Sequence, residues 1–198
     1  MELSVRLYLA LLAGVGVGRM LEMRLSRRHQ RALGARGIAV AREPVFGWMV
    51  ALHSGVLAAA AIEVLALRRP FLPALGVPAL VAFALANLLR WWVIATLGPH
   101  WNVRVMGSVG AVGVVSSGPF RFVRHPNYVA VFVELAALPL VHGAWITALG
   151  GALLHLVILR RRVALEESIL LADARYREVM GRKPRFLPLP WPTSSRTS

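Results

Sequence analysis

Three runs of the chain, residues 3–18, 46–67 and 72–97, are apolar almost without interruption, and nothing else in the sequence constrains the fold as tightly. A hydrocarbon layer about 30 Å thick takes roughly 20 mostly apolar residues per helix, and lipid offers backbone N–H and C=O groups no partners outside the helix itself. The first run is slightly short and carries Arg6 near one end; it follows Glu2 rather than a basic cluster, so it reads as a retained span and not a secretory leader. The second holds Glu63 near its end, and the third holds Asn87, Arg90 and the adjacent Trp91 and Trp92. A fourth apolar stretch, 128–159, is too long for one crossing, and Pro139 and Gly143 predict a tight turn inside it. The two arms of that helical hairpin fall at about 129–141 and 144–159. The expected fold is all-α: one domain over 1–198, an integral membrane protein with about five transmembrane helices. A mean hydropathy of +0.61 with 16% charged residues agrees, and excludes a disordered chain. With no cysteine there is no disulfide framework and no thiolate chemistry.

A net charge of +14 would suit a polyanionic partner, but the placement of the charge explains it otherwise. Segment 19–45 carries seven arginines, segment 98–125 carries Arg104, Arg121 and Arg124, and nine Lys or Arg follow Leu159. The alternation of spans puts 19 of the 23 basic residues on one side, which the positive-inside rule makes cytoplasmic. Membrane lipids, and no nucleic acid, are the expected surroundings. Beyond Leu159 an apolar stripe of Leu165, Ile169, Ala172, Tyr176 and Val179 predicts a cytoplasmic amphipathic helix that ends near Gly181. The tail 192–198 reads as disordered.

Two polar clusters sit on the cytoplasmic side of this arrangement. One is Ser117-Gly118-Pro119-Phe120-Arg121-Phe122-Val123-Arg124-His125-Pro126-Asn127-Tyr128, just before the hairpin; the other is Arg160-Arg161-Arg162 with Glu166 and Glu167 after it. Each alone fits basic anchoring with an interfacial tyrosine. The hairpin returns the chain to the face it left, however, and so can bring 120–128 and 162–167 together.

Gly118-x-Phe120-x-x-x-Arg124-His125-Pro126-x-Tyr128, a hydrophobic hairpin, then Arg162-x-x-x-Glu166-Glu167-x-x-Leu170 and Tyr176 resemble the isoprenylcysteine carboxyl methyltransferase family over roughly the C-terminal half. In the N-terminal half, Arg19-Met-Leu-Glu22, Ser26-Arg-Arg, Ala35-Arg-Gly37 and Ala51-Leu-His53 are similar to bacterial relatives associated with type III polyketide synthases, which O-methylate alkylpyrones or alkylresorcinols. The resemblance implies S-adenosyl-L-methionine as cofactor, held by Val112, Gly113, Val114, Val115, Phe120, His125, Pro126, Asn127, Tyr128 and Glu166. It places Arg162 on the substrate side as a catalytic residue that compensates charge on the acceptor oxygen. His125 is the candidate to take a proton from a phenolic acceptor. A histidine common in the family is replaced by Val112, and a tyrosine by Phe120, so contacts there would run through the backbone. The expected division of labour gives the lipophilic acceptor to spans one to three (1–97) and the cofactor to 98–186. The expected location is a bacterial inner membrane with the active site facing the cytoplasm. A sterol-type reductase using NADPH and a non-catalytic membrane scaffold are the alternatives.

Other features point less sharply. Gly14, Gly16 and Gly18 lie in an apolar span with no preceding strand and read as close helix packing, not a nucleotide loop. Gly107, Gly110 and Gly113 read as a loop. The six histidines show no ligand-pair spacing, so no metal is expected. Charges inside a bilayer are paired or functional. Arg90 is near enough to the end of span three to snorkel, while Glu134 needs a polar neighbour or a substrate. His53 reads as a packed, hydrogen-bonded residue.

Overall fold

The computed structural model describes residues 2–38, 40–106 and 113–188. Among these the regular structure is helical: α1 Leu3–Gly34, α2 Phe46–Ala66, α3 Pro73–Leu97, α4 Pro126–Leu140, α5 Trp145–Leu170 and α6 Ala174–Met180, with 3₁₀ turns at Gly98–His100 and Gly118–Arg121. Leu3–Gly34, Phe46–Ala66 and Pro73–His100 are each long and apolar enough to cross a membrane, and α4 is a shorter apolar helix. The tail 192–198 lies outside the described residues.

Two elements differ from the sequence reading. The first helix does not stop at residue 18 but runs for 32 residues, about 48 Å at the α-helical rise and well beyond a hydrocarbon layer. Residues 19–34 hold no proline and are rich in Arg, Leu, Met, Glu and Gln, all good helix formers, so nothing ends the helix when apolarity does. At the other end, α5 passes through Arg160–Arg162 without a break and stops at Leu170. A fresh start then follows at Asp173, whose side chain accepts from the Tyr176 N–H at 2.9 Å as an N-cap. The single amphipathic helix expected over this stretch is therefore the end of α5 plus a short α6. Its buried stripe differs too: Arg162, Val163, Glu167, Tyr176 and Met180 are buried, and Val179 is exposed.

The hairpin forms where proline and glycine put it. Pro139 occupies the last turn of α4, and Gly143, with φ +71°, supplies the left-handed residue that reverses the chain. Gly151 allows the close approach that follows, since a Cβ there would sit 2.8 Å from Val56 and 3.1 Å from Leu135. The core around Tyr8, Leu12, Ala60, Val64, Phe83, Leu138 and Val141 joins α1, α2, α3 and α4 at that end of the bundle.

Glu63 finds its purpose in the same region. Its carboxylate accepts from the N–H of Ile146 (3.3 Å), the N–H and hydroxyl of Thr147 (both 2.8 Å) and the Arg69 guanidinium (3.0 Å). The two N–H groups are orphan donors at the first turn of α5, so α2 caps α5 across the bundle and sets a negative charge at its positive end. Glu63→Ala is expected to cost about 1–2 kcal/mol, with Glu63→Gln losing less, read from thermal unfolding in detergent.

Candidate active site

The loop before α4 is held by close backbone contacts. Gly118 has φ +55°, and a Cβ on it would meet Thr96 Oγ1 at 2.5 Å, so only glycine lets the turn lie against α3. Phe120 then packs beside Val93, Ile94 and Trp101. Pro126 opens α4, where its missing N–H leaves nothing unsatisfied. The preceding residues are clasped from the far end of the chain: Arg124 N–H donates to Pro184 O and His125 N–H to Arg185 O, both at 2.9 Å, and Lys183 Nζ donates to Phe120 O at 2.7 Å. Phe186 lies 6.0 Å from the His125 ring and completes the apolar contact of Tyr128, Leu159 and Val163.

Four side chains proposed from sequence converge here. The Tyr128 hydroxyl donates to Glu166 Oε2 and accepts from Arg162 Nε at 2.9 Å. His125 Nδ1 lies 3.8 Å from the same Glu166 oxygen, and its Nε2 contacts Glu167 Oε1 at 3.1 Å. The fold-back expected of the hairpin thus joins 125–128 and 162–167 in one cluster. His125, Tyr128 and Arg162 are buried, whereas the Glu166 side chain keeps 27% of its exposure. The acid beside it does different work. Glu167 receives Arg185 at 2.7 Å and Arg124 at 3.2 Å, tying the C-terminal segment, the loop and α5 together.

Burial alone would push the Glu167 carboxyl up. The hydrogen bonds from Arg185 and His125, with the charge of Arg124, outweigh burial and hold it below its ordinary 4.5. A carboxyl depressed in the folded state adds stability above its unfolded pKa, and that contribution is lost as pH falls through the folded value. Acidification below about pH 4.5 is therefore expected to lower the melting temperature of the native protein more steeply than that of Glu167→Gln.

A cavity of about 670 Å³ runs from this cluster into the bundle. Tyr128, Asn127 and Arg162 stand at one end with Trp101 and Val103, while Leu57, Phe83 and Leu138 line the other. All five long helices contribute to its wall. Between the two ends lies a four-charge group that joins α1, α3 and α4. Arg90 makes an ion pair with Glu22 through Nε and Nη2, Arg19 bonds to Glu22 at 2.9 Å and to Glu134 at 3.3 Å, and Arg90 Nη1 lies 3.6 Å from Glu134. Arg90 is buried and does not snorkel; a carboxylate one helix away holds it more closely than a distant headgroup layer would. His53 bonds through Nδ1 to Met49 O at 2.7 Å, faces His155 edge to face at 5.5 Å, and both rings line the cavity.

The remaining sequence-proposed positions are more scattered. Gly113, with φ +81°, Val114 and Val115 form an exposed to half-buried run leading to the Gly118 turn. Val112 lies outside the described residues, as do Gly107 and Gly110. One residue was missed. Glu43, in the loop before α2, has a fully buried side chain and pairs with Arg162 Nη1 at 3.0 Å. Its only signal in the sequence is that it is the lone acid between Glu22 and Glu63, amid an arginine-rich stretch. The rest of the Arg162 guanidinium donates to Val103 O and lies against Met49 Sδ.

Comparison with known proteins gives two kinds of match. The model of the isoprenylcysteine carboxyl methyltransferase (ICMT) family matches residues 79–172, a span that holds α4, α5 and the whole four-residue cluster. Among curated proteins, the chain is 27% identical over 161 residues to the uncharacterized protein YpbQ of Bacillus subtilis, covering 81% of this chain and 94% of that protein. It is also 32% identical over 155 residues to an uncharacterized protein of Haemophilus influenzae, covering 77% of this chain and 88% of that one.

Proposed function

Because the chain belongs to the isoprenylcysteine carboxyl methyltransferase family, we propose that it is a membrane O-methyltransferase that takes S-adenosyl-L-methionine from the cytoplasm and a lipophilic acceptor from the bilayer. In this reading α1, α2, α3 and the two arms of the hairpin make five crossings, and the polar cluster faces the cytoplasm of a bacterial cell. The observation that carries it is the convergence of His125, Tyr128, Arg162 and Glu166 in one cluster, of which Tyr128 and Arg162 line one end of the cavity.

The residues present suit that cofactor. Glu166 is the accessible carboxylate of the cluster, and Asn127 Oδ1 is buried with no hydrogen-bond partner among the described residues. Both are acceptors of the kind an ammonium and ribose hydroxyls require. His125, Pro126, Asn127, Tyr128 and Glu166 would hold it, with backbone from Gly113–Val115 and the turn at Phe120. When bound, the sulfonium supplies an electrophilic methyl group. The protein's own part is positional. Arg162 fixes the Tyr128 hydroxyl, which fixes Glu166, and the apolar walls exclude water from the acceptor oxygen. A long-chain acceptor gains about 0.8 kcal/mol for each CH₂ it moves from water into lipid, so it concentrates in the bilayer and reaches the cavity from there.

An alkylpyrone or alkylresorcinol oxygen is the first choice of acceptor, with supply by a type III polyketide synthase reaction; an isoprenylcysteine-type carboxylate is the second. The test is cofactor binding in detergent. Native protein should bind S-adenosylhomocysteine by calorimetry, and Glu166→Ala should weaken it tenfold or more, as expected on losing about 1.4 kcal/mol or more of charge-assisted hydrogen bonding. Binding of NADPH in its place would favour a membrane reductase, and binding of neither a scaffold. Membranes given labelled methyl donor with long-chain pyrones, resorcinols or farnesylcysteine then separate the acceptors.

A further inference from the structure

The cavity's interior is electrically matched, and that bears on what it can accept. Arg19 and Arg90 are shared between Glu22 and Glu134, and Arg162 is committed to Glu43, Tyr128 and Val103. Arg24 and Arg27 also border the cavity, but from the exposed side of α1. Among the described residues, no buried guanidinium on the cavity wall is therefore free to meet a carboxylate drawn inside, and an anion desolvated there would lack compensation. A neutral hydroxyl needs only one good acceptor.

The wall provides one. His53 is half-buried, and its Nδ1 faces the carbonyl of Met49, which can only accept. The proton thus sits on Nδ1, and Nε2 is left with its lone pair. Beside it, His155 is 2% exposed with neither ring nitrogen hydrogen-bonded among the described residues, an unsatisfied pair on the same cavity. Met49, one helical turn from His53, touches Arg162, so the imidazoles lie just below the polar cluster. His125 is placed differently. Its Nε2 is engaged by Glu167, its ring is buried beside Tyr128 and Phe186, and it is not part of the cavity wall.

We propose that the cavity binds a long-chain acceptor whose reactive group is a neutral phenolic or enolic hydroxyl, and that His53, not His125, accepts its proton. This rests on the methyltransferase reading for the reaction, though not for the binding. In the step, the acceptor oxygen's electron pair forms the new O–CH₃ bond as the C–S⁺ bond of the sulfonium donor breaks to a neutral thioether. The hydroxyl proton passes to His53 Nε2 and is later released to water.

The experiment uses the full chain in detergent with pentadecylresorcinol, its dimethyl ether and palmitate as probes. Native protein should bind the resorcinol about tenfold or more tightly than either other probe, and His53→Gln and His53→Ala should lose that preference for the hydroxyl over the ether. Methyl transfer to the resorcinol should fall roughly 100-fold or more in both variants, with S-adenosylhomocysteine affinity unchanged, and added imidazole should restore part of the rate in His53→Ala. Variants that methylate within about threefold of the native rate, or a native protein that prefers palmitate, would overturn the assignment. Native protein that discriminates resorcinol from ether through His53, yet binds no S-adenosylhomocysteine, would leave the hydroxyl site standing while removing the methyltransferase reading and the proton-transfer step.

Discussion

Arg162→Ala is expected to abolish methyl transfer and to destabilise the fold by about 3–5 kcal/mol, the usual consequence of stripping one partner from a buried ion pair. The loss follows from what the guanidinium holds. Glu43 has no exposed side-chain surface, and Arg162 is the cation at 3.0 Å from it; Val105 N–H, at 3.4 Å, is a weak second partner. The same side chain positions the Tyr128 hydroxyl and joins the α1–α2 loop to the segment after α3 through Val103. Arg162→Lys is expected to fail nearly as badly, since one ammonium cannot serve three directions with planar donors. Thermal unfolding in detergent separates the two roles. Arg162→Ala with Glu43→Gln should recover much of the stability and none of the activity, whereas equal recovery of both would mean that the arginine serves only to neutralise Glu43.

Arg90→Met should be comparably severe, again about 3–5 kcal/mol. It leaves Glu22 and Glu134, both buried, to share Arg19 alone. Both carboxylates are buried in the bundle, so the uncompensated charge must take up a proton or drive local opening. The charge-balanced pair Arg90→Met with Glu22→Gln should regain most of the lost melting temperature. If the double variant is no better than the single one, shape and not charge balance governs this part of the wall.

How much of this was legible in the sequence depends on the range of the interaction. The hairpin was readable because Pro139 and Gly143 act locally, and His125, Tyr128, Arg162 and Glu166 could be grouped because the hairpin returns the chain to its starting face. Arg90 and Glu134 stood out as costly charges, but Glu22 lies 68 residues from Arg90 and Arg19 lies 115 residues from Glu134, and no local pattern encodes such pairing. The apolar stripe on the last helix misled for a physical reason. Hydrophobic periodicity finds the core face of a helix in water, whereas the end of α5 turns Arg162 and Glu167 inward to build a polar centre. Glu43 was invisible because an acid in an arginine-rich loop looks solvated until the fold encloses it.

The backbone bonds from Arg124 and His125 to Pro184 and Arg185 carry a consequence for biosynthesis. The helices can enter the membrane one after another as they are made, but the loop that precedes α4 must wait for Pro184 and Arg185 to be translated before it gains these main-chain partners. The nascent protein is accordingly expected to reside in the bilayer, inserted but inert, until the ribosome has released that stretch.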